Sequence, residues 1–557
     1  MQRLPGIDIA VLAIYLAAVV GLGAWFARRN RTSAHFMAAS GTLPGWAVGL
    51  SIFGTYLSSN TFIGVPGKAF GGNWNAFVFS LTLPLAAWVA VKWFVPFYRG
   101  SGEISAYHHL EKRFGPWART YALACYLLTQ LARVGAILFG VSLALHALTG
   151  WSLPAIIIGA GLAVTFYTLL GGIEAVIWTD VIQSLVLLVG AVVIAVLLIV
   201  DHPHGASEAL HIAAGADKFS LGSFAADFTQ STFWVVLLFG LFINLNNFGI
   251  DQSFVQRYHA ARDDASAKRS VWLGALLYVP VSALFFLIGS LLFSYYEASP
   301  ALLQELQAAH PDGFADKVLP HFIAHKLPAG VAGLLLAAIC AAAMSSIDTS
   351  LNSSATVTLK DFFQRHLKRG QDEADAMRIL RGATLVWGVL GTGVALAMIG
   401  QKSLLDTWWK VSGIFAGGML GIFLLGLIGR KAKNAAAVTG VVIGVIVIFW
   451  MTFSPGWGAY SGTVTAYRNS NMIQGHKTKF TEQIKTGDKV VVKDKTLTVK
   501  SVLSDTELVL DKSVSDKTQL DVKLFNPHGA YQYRSLLHAN MIAVVGTLTI
   551  FLVGLCV

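Results

Sequence analysis

Long apolar runs, separated by short polar segments, cover most of the 557-residue chain. A run of about 20 apolar residues is long enough for a helix to cross the hydrocarbon core of a bilayer. The pattern therefore predicts an all-α polytopic membrane protein with thirteen transmembrane helices. The predicted spans are residues 7–27, 44–66, 74–97, 118–148, 153–170, 176–200, 232–250, 271–294, 327–357, 380–399, 406–428, 435–453 and 535–556.

One segment between the last two predicted spans has a different pattern. Residues 461–527 alternate apolar and polar positions as β-strands do, with turn residues between the strands. The tripeptide Gly-Ala-Tyr occurs on both sides, at residues 458–460 and 529–531, as expected for a module inserted into a short loop. We predict a small soluble β domain in the last exterior loop of a helical membrane domain formed by residues 1–457 and 529–557. We interpret it as a passenger, meaning a domain that the rest of the protein does not need for its function. The alternative is that it binds a ligand.

The composition agrees with a membrane protein, and the charge distribution predicts its orientation. Hydrophobic residues make up 55% of the chain and charged residues 13%, with a mean hydropathy of +0.61. The net charge of +11 comes from basic clusters in the predicted loops and does not indicate a nucleic-acid ligand. With the N-terminus outside and the C-terminus cytoplasmic, every cluster is cytoplasmic, as the positive-inside rule requires. These clusters are Arg28, Arg29 and Arg31, Arg99 to Arg119, Arg257 to Arg269, Lys360 to Arg381, and Arg430 to Lys433.

Arg133 lies in the middle of the fourth predicted span, with a helix's worth of apolar residues around it. A charge at that depth costs about 3 kcal/mol or more, so such a residue usually faces a polar cavity with a partner or a ligand. The guanidinium fork matches a carboxylate, which predicts an organic anion as the ligand. The alternative is a structural ion pair with an acid on another helix.

The ninth predicted span carries an oxygen-rich stripe. Ser345, Thr349, Asn352 and Ser353 follow the spacing of one helix face, and Ser346 and Asp348 flank it. Hard cations prefer oxygen ligands, so the stripe is a candidate sodium site. Hydrogen bonding between helices by small polar residues is the alternative.

The second predicted span combines a hydroxyl-rich centre with Gly54, Gly64, Pro66 and Gly67. Glycine and proline at mid-depth favour a broken helix, whose freed carbonyls can bind a cation; a proline kink is the alternative. Amide side chains in residues 244–252 are expected on one side of the same cavity. Asp180, near the end of its span, needs a cation or a hydrogen bond, unless it is an interfacial acid.

Six ordered strings carry a family resemblance: SIFGTYLSSNTFIG, AYHHLEKRFG, LARVG, GGIEAVIWTDVIQ, DQSFVQRY and MSSIDTSLNSSAT. Together they resemble the sodium/solute symporter family, and within it the bacterial sialic acid transporters. The resemblance covers all predicted spans but not the inserted block. It implies the five-plus-five inverted-repeat fold of amino acid symporters, with one extra span before the repeats and two after.

The resemblance also implies roles for individual residues. The main sodium site would use backbone carbonyls of Gly54, Leu57 and Ala342 and hydroxyls of Ser345 and Ser346. A second sodium site would involve Asp180, Ser345, Asp348 and Thr349. Arg133 would hold the substrate carboxylate, with Ser58, Thr61, Tyr56, Asn244 and Asn247 around the sugar. Three residues depart from the family pattern: Asp348 replaces a hydroxyl residue, Tyr56 a smaller polar one, and Asn247 a gating tyrosine of the galactose branch.

We therefore predict a sodium-coupled secondary symporter of the bacterial inner membrane that imports an anionic sugar acid, foremost sialic acid, by alternating access. Two sodium ions per substrate would move one net positive charge. Within the same fold, the alternatives are a neutral sugar, a polyol or another carboxylate as the substrate. An alternative of another class is a transporter-like membrane sensor. An enzyme is not expected, because GVPGK at residues 64–68 lacks the spacing of a phosphate-binding loop.

Overall fold

The structure is a computed structural model. It describes residues 5–27, 32–58, 60–309, 314–400, 404–492, 495–514 and 519–557. The predicted basic cluster of Arg28, Arg29 and Arg31 lies outside the described residues. The contacts divide the chain into two compact units, one formed by residues 1–445 and 538–557 and the other by residues 446–537.

Helices dominate the chain, as the apolar pattern predicts. The first half contains α1 (Gly6–Ala27), α2 (Ser33–Ala38), α3 (Gly45–Tyr56), α4 (Val65–Gly71), α5 (Val78–Leu81), α6 (Leu83–Val89), α7 (Val95–Ser101), α8 (His108–Phe114), α9 (Pro116–Thr149), α10 (Leu153–Val200), α11 (Ala206–Gly215), α12 (Phe233–Ile250) and α13 (Gln252–Ala260). The second half contains α14 (Asp264–Glu297), α15 (Pro300–Ala309), α16 (Val318–Lys326), α17 (Val331–Val357), α18 (Glu373–Ala397), α19 (Leu404–Ile428), α20 (Asn434–Phe453), α21 (Phe480–Gln483) and α22 (Met541–Cys556).

Shorter helical turns complete several of these segments. Wider π-helical turns cover Asn60–Gly64, Ala90–Phe94 and Thr358–Leu367. Tighter 3₁₀ turns cover Ala39–Gly41, Trp74–Phe77, Ala315–Lys317, Ser454–Gly456 and Gly529–Tyr533. The π turn after α3 and the one after α17 both adjoin the polar segments that were predicted to bind ligands.

Ten helical segments of the described chain are long and apolar enough to cross a membrane, which confirms a polytopic helical fold. Two of the predicted spans, 153–170 and 176–200, fall within one of these segments, α10. Its backbone leaves the helical conformation at Gly172, where φ is 60° and ψ is −174°. A positive φ of this kind favours glycine, because a Cβ atom would clash there. Gly172 therefore separates the two predicted spans.

Helix α17 lies at the centre of the transporter unit. It packs against α1, α3, α9 and α10, and 89% of the apolar window in its segment is buried. The same helix carries the hydroxyl-rich stripe. Because a central helix contacts several neighbours at once, its polar side chains meet groups from more than one element.

The second unit contains a β-sheet, as predicted for residues 461–527. Its strands are β1 (Thr463–Ala466), β2 (Met472–His476), β3 (Lys489–Val492), β4 (Lys495–Ser504), β5 (Glu507–Leu510), β6 (Gln519–Val522) and β7 (Leu524–Phe525). The sheet order is β6-β1-β2-β5-β4-β3-β7, with antiparallel neighbours. Alternate side chains, including Val464, Ile473, Val490, Leu497 and Leu508, form a separate hydrophobic core. Antiparallel strands that bury one face explain the observed alternation.

Candidate functional site

The second predicted span is broken. Helix α3 ends at Tyr56, and Leu57 has an extended conformation with φ −89° and ψ 119°. The Leu57 amide donates to the Gly54 carbonyl at 3.1 Å, and helical structure resumes at Asn60. Carbonyls in the last turn of a helix lack regular amide partners and carry the negative end of the helix dipole. The break therefore presents oxygen atoms suited to a cation.

The five predicted ligands of the main sodium site lie together at this break. Ser345 Oγ is 3.2 Å from the Gly54 carbonyl oxygen and 3.3 Å from that of Ala342. Ser346 Oγ is 3.2 Å from the Leu57 carbonyl oxygen. These oxygens belong to α3, the residue after it, and α17, so the cluster joins the broken helix to the central helix.

The spacing of this cluster fits a monovalent ion of sodium's size. Ligand oxygens about 2.3–2.6 Å from an ion, as around the similarly sized Ca²⁺, lie roughly 3.3–3.7 Å apart in octahedral coordination. The separations of 3.2 to 3.3 Å need only a small expansion and a rotation of the two hydroxyl groups. All five ligands are neutral, which favours a single positive charge over a divalent cation.

Close packing against α10 fixes the position of the Gly54 carbonyl. A Cβ atom on Gly54 would lie 2.9 Å from Ser184 Oγ and 3.7 Å from the Cβ atom of Asp180. Real Cβ atoms are rarely this close to a neighbour, so glycine allows α3 to approach α10. The position of the Gly54 carbonyl therefore depends on the close contact between α3 and α10.

A polar cavity lies beside the break. It is lined by Thr55, Tyr56, Ser58, Thr61, Gln130, Arg133, Asn246, Asn247, Asp251, Tyr278, Ser282 and Ser412, with aromatic residues Phe79, Phe239, Phe254, Phe286, Trp408 and Trp409. Small-molecule sites combine polar groups that orient the ligand with apolar and aromatic side chains, and this lining contains both kinds. The cavity thus has the composition expected for binding a polar organic molecule.

Arg133 is half-buried in this lining, and its Nη2 atom donates to the Thr55 carbonyl oxygen at 2.5 Å. The acid in the same lining, Asp251, accepts from Gln130 Nε2 at 3.2 Å and from Ser253 Oγ at 2.5 Å. Within the residues that the structure describes, no salt bridge joins Arg133 to an acid. The structure thus places Arg133 at the cavity, and its role in binding a carboxylate stays a prediction.

The other predicted substrate residues divide into two groups. Ser58, Thr61, Tyr56 and Asn247 line the cavity together with Arg133. Asn244 lies outside the lining, and its amide donates to Thr82 Oγ1 at 2.9 Å. Although the two residues are only three positions apart on α12, Asn244 is held by Thr82 and only Asn247 of the pair lines the cavity.

The region of the predicted second sodium site contains a buried arginine that was not predicted there. Arg257 Nη2 lies 3.0 Å from Asp180 Oδ2 and 2.8 Å from Thr349 Oγ1. Arg257 Nε donates to Ser51 Oγ at 2.9 Å, and that hydroxyl also donates to Asp180. The side chains of Arg257 and Asp180 are both 0% exposed. The prediction that Arg257 belongs to a cytoplasmic loop cluster is wrong.

The other two residues of the predicted second site have different partners. Asp348 accepts hydrogen bonds from the Tyr167 hydroxyl and, at 2.6 Å, from the Thr349 amide. Ser345 is turned toward the main site. Asp180 and Thr349 are thus brought together through Arg257, whereas Asp348 is bonded to α10.

A second buried arginine connects α9 to the segment after α17. Arg119 Nε contacts Asp361 Oδ1 at 2.5 Å, and its Nη1 contacts Glu111 Oε2 at 2.7 Å. Arg365 Nε donates to Glu111 Oε1 at 2.9 Å. Partial burial acts to raise the pKa of Glu111, but the two arginines outweigh it and lower that pKa below its usual value.

Sequence reasoning missed Gln130, Asp251 and Arg257. Gln130 precedes Arg133 by three residues, so helical spacing already places both on one face. Asp251 and Arg257 stand in DQSFVQRY, which was used for the resemblance but not for the site. This string contains one acid and one arginine, six residues apart, and no other charge. That pattern could have identified both residues as candidates for the site.

Known proteins resemble this chain in sequence and in fold. A profile of the Sodium:solute symporter family matches residues 36–444. The chain belongs to this family. It is therefore a member of a family of sodium-coupled transporters, as the six motifs predicted. The matched range ends before the β-sheet.

Individual relatives of this symporter are also similar over most of their length. The chain is 36% identical over 447 residues to the sodium/sialic acid symporter SiaT of Proteus mirabilis, covering 79% of this chain and 88% of the relative. It is 35% identical over 455 residues to the sodium/sialic acid symporter NanT of Aliivibrio fischeri, covering 81% and 88%.

A solved structure of a Na⁺-coupled sialic acid symporter, in a substrate-bound outward-open state, aligns with a TM-score of 0.79 at 29% identity. The alignment covers 99% of this chain and 97% of that one. The resemblance to the sialic acid branch and the use of sodium are confirmed by these relatives.

Proposed function

We propose that this protein imports an anionic sugar acid, foremost sialic acid, together with sodium. The observation that carries the proposal is the position of Arg133. Its guanidinium lines a polar cavity that also contains Asp251, forms no salt bridge within the described part of the chain, and lies next to a cluster of five neutral oxygens. The two sodium/sialic acid symporters at 36% and 35% identity support the same substrate.

The sodium cluster and the arginine are connected by one turn of backbone. The Thr55 carbonyl that accepts from Arg133 lies between the Gly54 and Leu57 carbonyls of the sodium cluster. A sodium ion there fixes the end of α3 and, through Thr55, the guanidinium that receives the substrate carboxylate. Sodium therefore raises substrate affinity, and by linkage the substrate raises sodium affinity by the same factor.

Serine, threonine and tyrosine side chains complete the substrate site. Ser58 and Thr61 adjoin the break in the second span, and Tyr56 packs against Phe254 with ring centroids 5.2 Å apart. The hydroxyl groups are proposed to hydrogen-bond the sugar, and the aromatic side chains of the cavity cover its apolar face. Asn247 joins them from α12; for Asn244 a structural role beside Thr82 is proposed instead.

A second sodium ion is proposed at Asp180, Ser345, Asp348 and Thr349 in a state in which Arg257 has moved. Arg257 and a sodium ion would bind the same oxygen of Asp180, and their positive charges would repel each other. Both therefore cannot occupy the site at once. Two sodium ions with one carboxylate would move one net positive charge, which gains about 2.3 kcal/mol per 100 mV. Charge movement on a solid-supported membrane tests this, and electroneutral transport would refute the second ion.

The transport cycle is proposed to be alternating access around this site. We propose thirteen spans with a five-plus-five inverted repeat, the N-terminus outside and the C-terminus cytoplasmic, in a bacterial inner membrane. In such folds, the two repeats rock around a binding site near the middle of the bilayer. The broken second span and central helix α17 would provide that site.

Uptake into proteoliposomes tests the proposed function. Labelled sialic acid, a neutral hexose, a polyol and a monocarboxylate are offered with an inward sodium gradient and with potassium in its place. We expect sodium-dependent accumulation of sialic acid above the other three. Preferential uptake of the neutral sugar or polyol, or uptake independent of sodium, would overturn the proposal. Absence of any uptake from a folded, reconstituted protein would favour a sensor.

A further inference from the structure

Two imidazole rings and a carboxylate meet between α15 and α16, in the connection between α14 and α17. His321 and His325 are four residues apart on α16 and therefore share one helix face. Glu305 comes from α15. One ligand atom from each of the three lies within 4.8 Å of the others, and His325 Nε2 is 3.6 Å from Glu305 Oε1.

Hydrogen bonds on the far side of the rings orient them for ligation. His325 Nδ1 lies 2.9 Å from the His321 carbonyl oxygen and donates to it, which leaves the Nε2 lone pair on the side of Glu305. His321 Nδ1 lies 2.7 Å from the Tyr296 hydroxyl. Histidine ligands of metals usually have such a partner on the second ring nitrogen, which fixes the tautomer and the ring orientation.

The two rings are stacked, with centroids 4.1 Å apart and planes 28° apart. The stacking places two potential imidazole ligands side by side on one helix face. The side chains of His325 and Glu305 are 42% and 58% exposed. An ion can therefore reach the trio directly from water.

We propose that Glu305, His321 and His325 form a binding site for a zinc ion. Two histidines and one glutamate are an established ligand set for Zn²⁺, with a fourth position left for water. Tetrahedral ligands at about 2.0–2.2 Å lie roughly 3.3–3.6 Å apart, so the nitrogen and oxygen of His325 and Glu305 are already at a suitable separation. Small rotations of the His321 side chain bring the third ligand into place.

The site connects elements that carry the cavity lining. Helix α15 packs against α14, and α16 packs against α9 and α4 and, less extensively, against α14. A bound ion holds α15 to α16 and so connects the end of α14 to the layer of α9. Because α9 carries Arg133 and α14 carries Tyr278, the site is placed to hold two walls of the cavity together.

Zinc binding to the purified full-length protein, without a polyhistidine tag and after chelator treatment, tests the site. Competition with a fluorescent zinc chelator should give one tight equivalent for the native protein. His325→Ala and Glu305→Gln should weaken it on the order of 100-fold, and Tyr296→Phe about tenfold, as expected for a ligand and for a group that orients one. His211→Ala, an exposed histidine on α11, is the matched control and should bind zinc like the native protein.

X-ray absorption of the zinc-loaded protein provides a second measurement that does not depend on variants. It should show two imidazole nitrogens and oxygen ligands at about 2.0–2.2 Å. Equal zinc affinity of the native protein and the folded His325→Ala variant would overturn the proposal. So would an absorption spectrum without imidazole ligands.

Discussion

Replacing Arg133 with alanine removes the only basic group that lines the described part of the cavity. The substitution also removes the donor to the Thr55 carbonyl. Thr55 is buried, so the loss of this donor should cost about 1 kcal/mol of folding stability. The main effect is expected on the binding of a carboxylate.

The size of the effect follows from the geometry. Truncating one partner of a buried, hydrogen-bonded charge pair costs about 2–5 kcal/mol. Arg133 is only half-buried, and the cavity admits water, so the lower part of this range applies. A loss of about 2–3 kcal/mol corresponds to a Kd for sialic acid that is roughly 30- to 150-fold higher.

The assay is a thermodynamic cycle that combines two protein variants with two ligands. Binding of sialic acid and of its uncharged carboxamide is measured by calorimetry for the native protein and for Arg133→Ala. The native protein should prefer the acid by the factor given above, and the variant should bind both alike. Arg133→Lys, which keeps the charge but loses the fork, should fall between them. If Arg133→Ala still prefers the acid as strongly as the native protein does, the carboxylate binds elsewhere.

Three further predictions concern the ion sites and the β domain. Ser346→Ala should raise the sodium concentration for half-maximal uptake about tenfold or more, because one oxygen ligand is lost. Ser142→Ala is the control: its hydroxyl bonds to Leu138 in its own helix, so this sodium concentration should not change. Asp180→Asn should lower the free energy of unfolding by about 3–5 kcal/mol, because it leaves Arg257 as an unpaired buried charge. Adding Arg257→Met removes that charge and should recover most of the lost stability in thermal unfolding. If the double variant is as unstable as Asp180→Asn, this explanation is wrong. Deleting residues 461–528 should leave uptake intact, because the sheet has a hydrophobic core of its own and the helices do not need it to fold. A deletion variant that folds but does not transport would refute the passenger interpretation.

The helical periodicity and the turn residues predicted much of the transporter. Glycine and proline in the second span predicted a broken helix, which the structure places after Tyr56. The family resemblance, and not the spacing in α17, implied that Ser345 and Ser346 would meet Gly54 and Leu57. The break is a local feature, since it depends on residues within one helix. The alternation in residues 461–527 predicted the β-sheet for the same reason.

Features that depend on the packing of distant helices were not predictable in this way. The pairing of Arg257 with Asp180 joins residues 77 positions apart, and the charge of Arg257 resembled that of a basic loop. The Asp348 carboxylate is bonded to Tyr167 on α10, although its spacing placed it beside the oxygen stripe. Asn244 and Asn247 share a motif, but Asn244 bonds to Thr82 on another helical segment and only Asn247 of the two lines the cavity. Helical spacing identifies a face but not the neighbour that the face meets.

The central claim is that sodium at the broken helix prepares Arg133 for a carboxylate. The most direct measurement is calorimetric titration of sialic acid into the purified native protein, once in saturating sodium and once in potassium at equal ionic strength. The account predicts a clearly lower Kd in sodium and a Kd that increases as sodium is removed. The same Kd in both salts would contradict it.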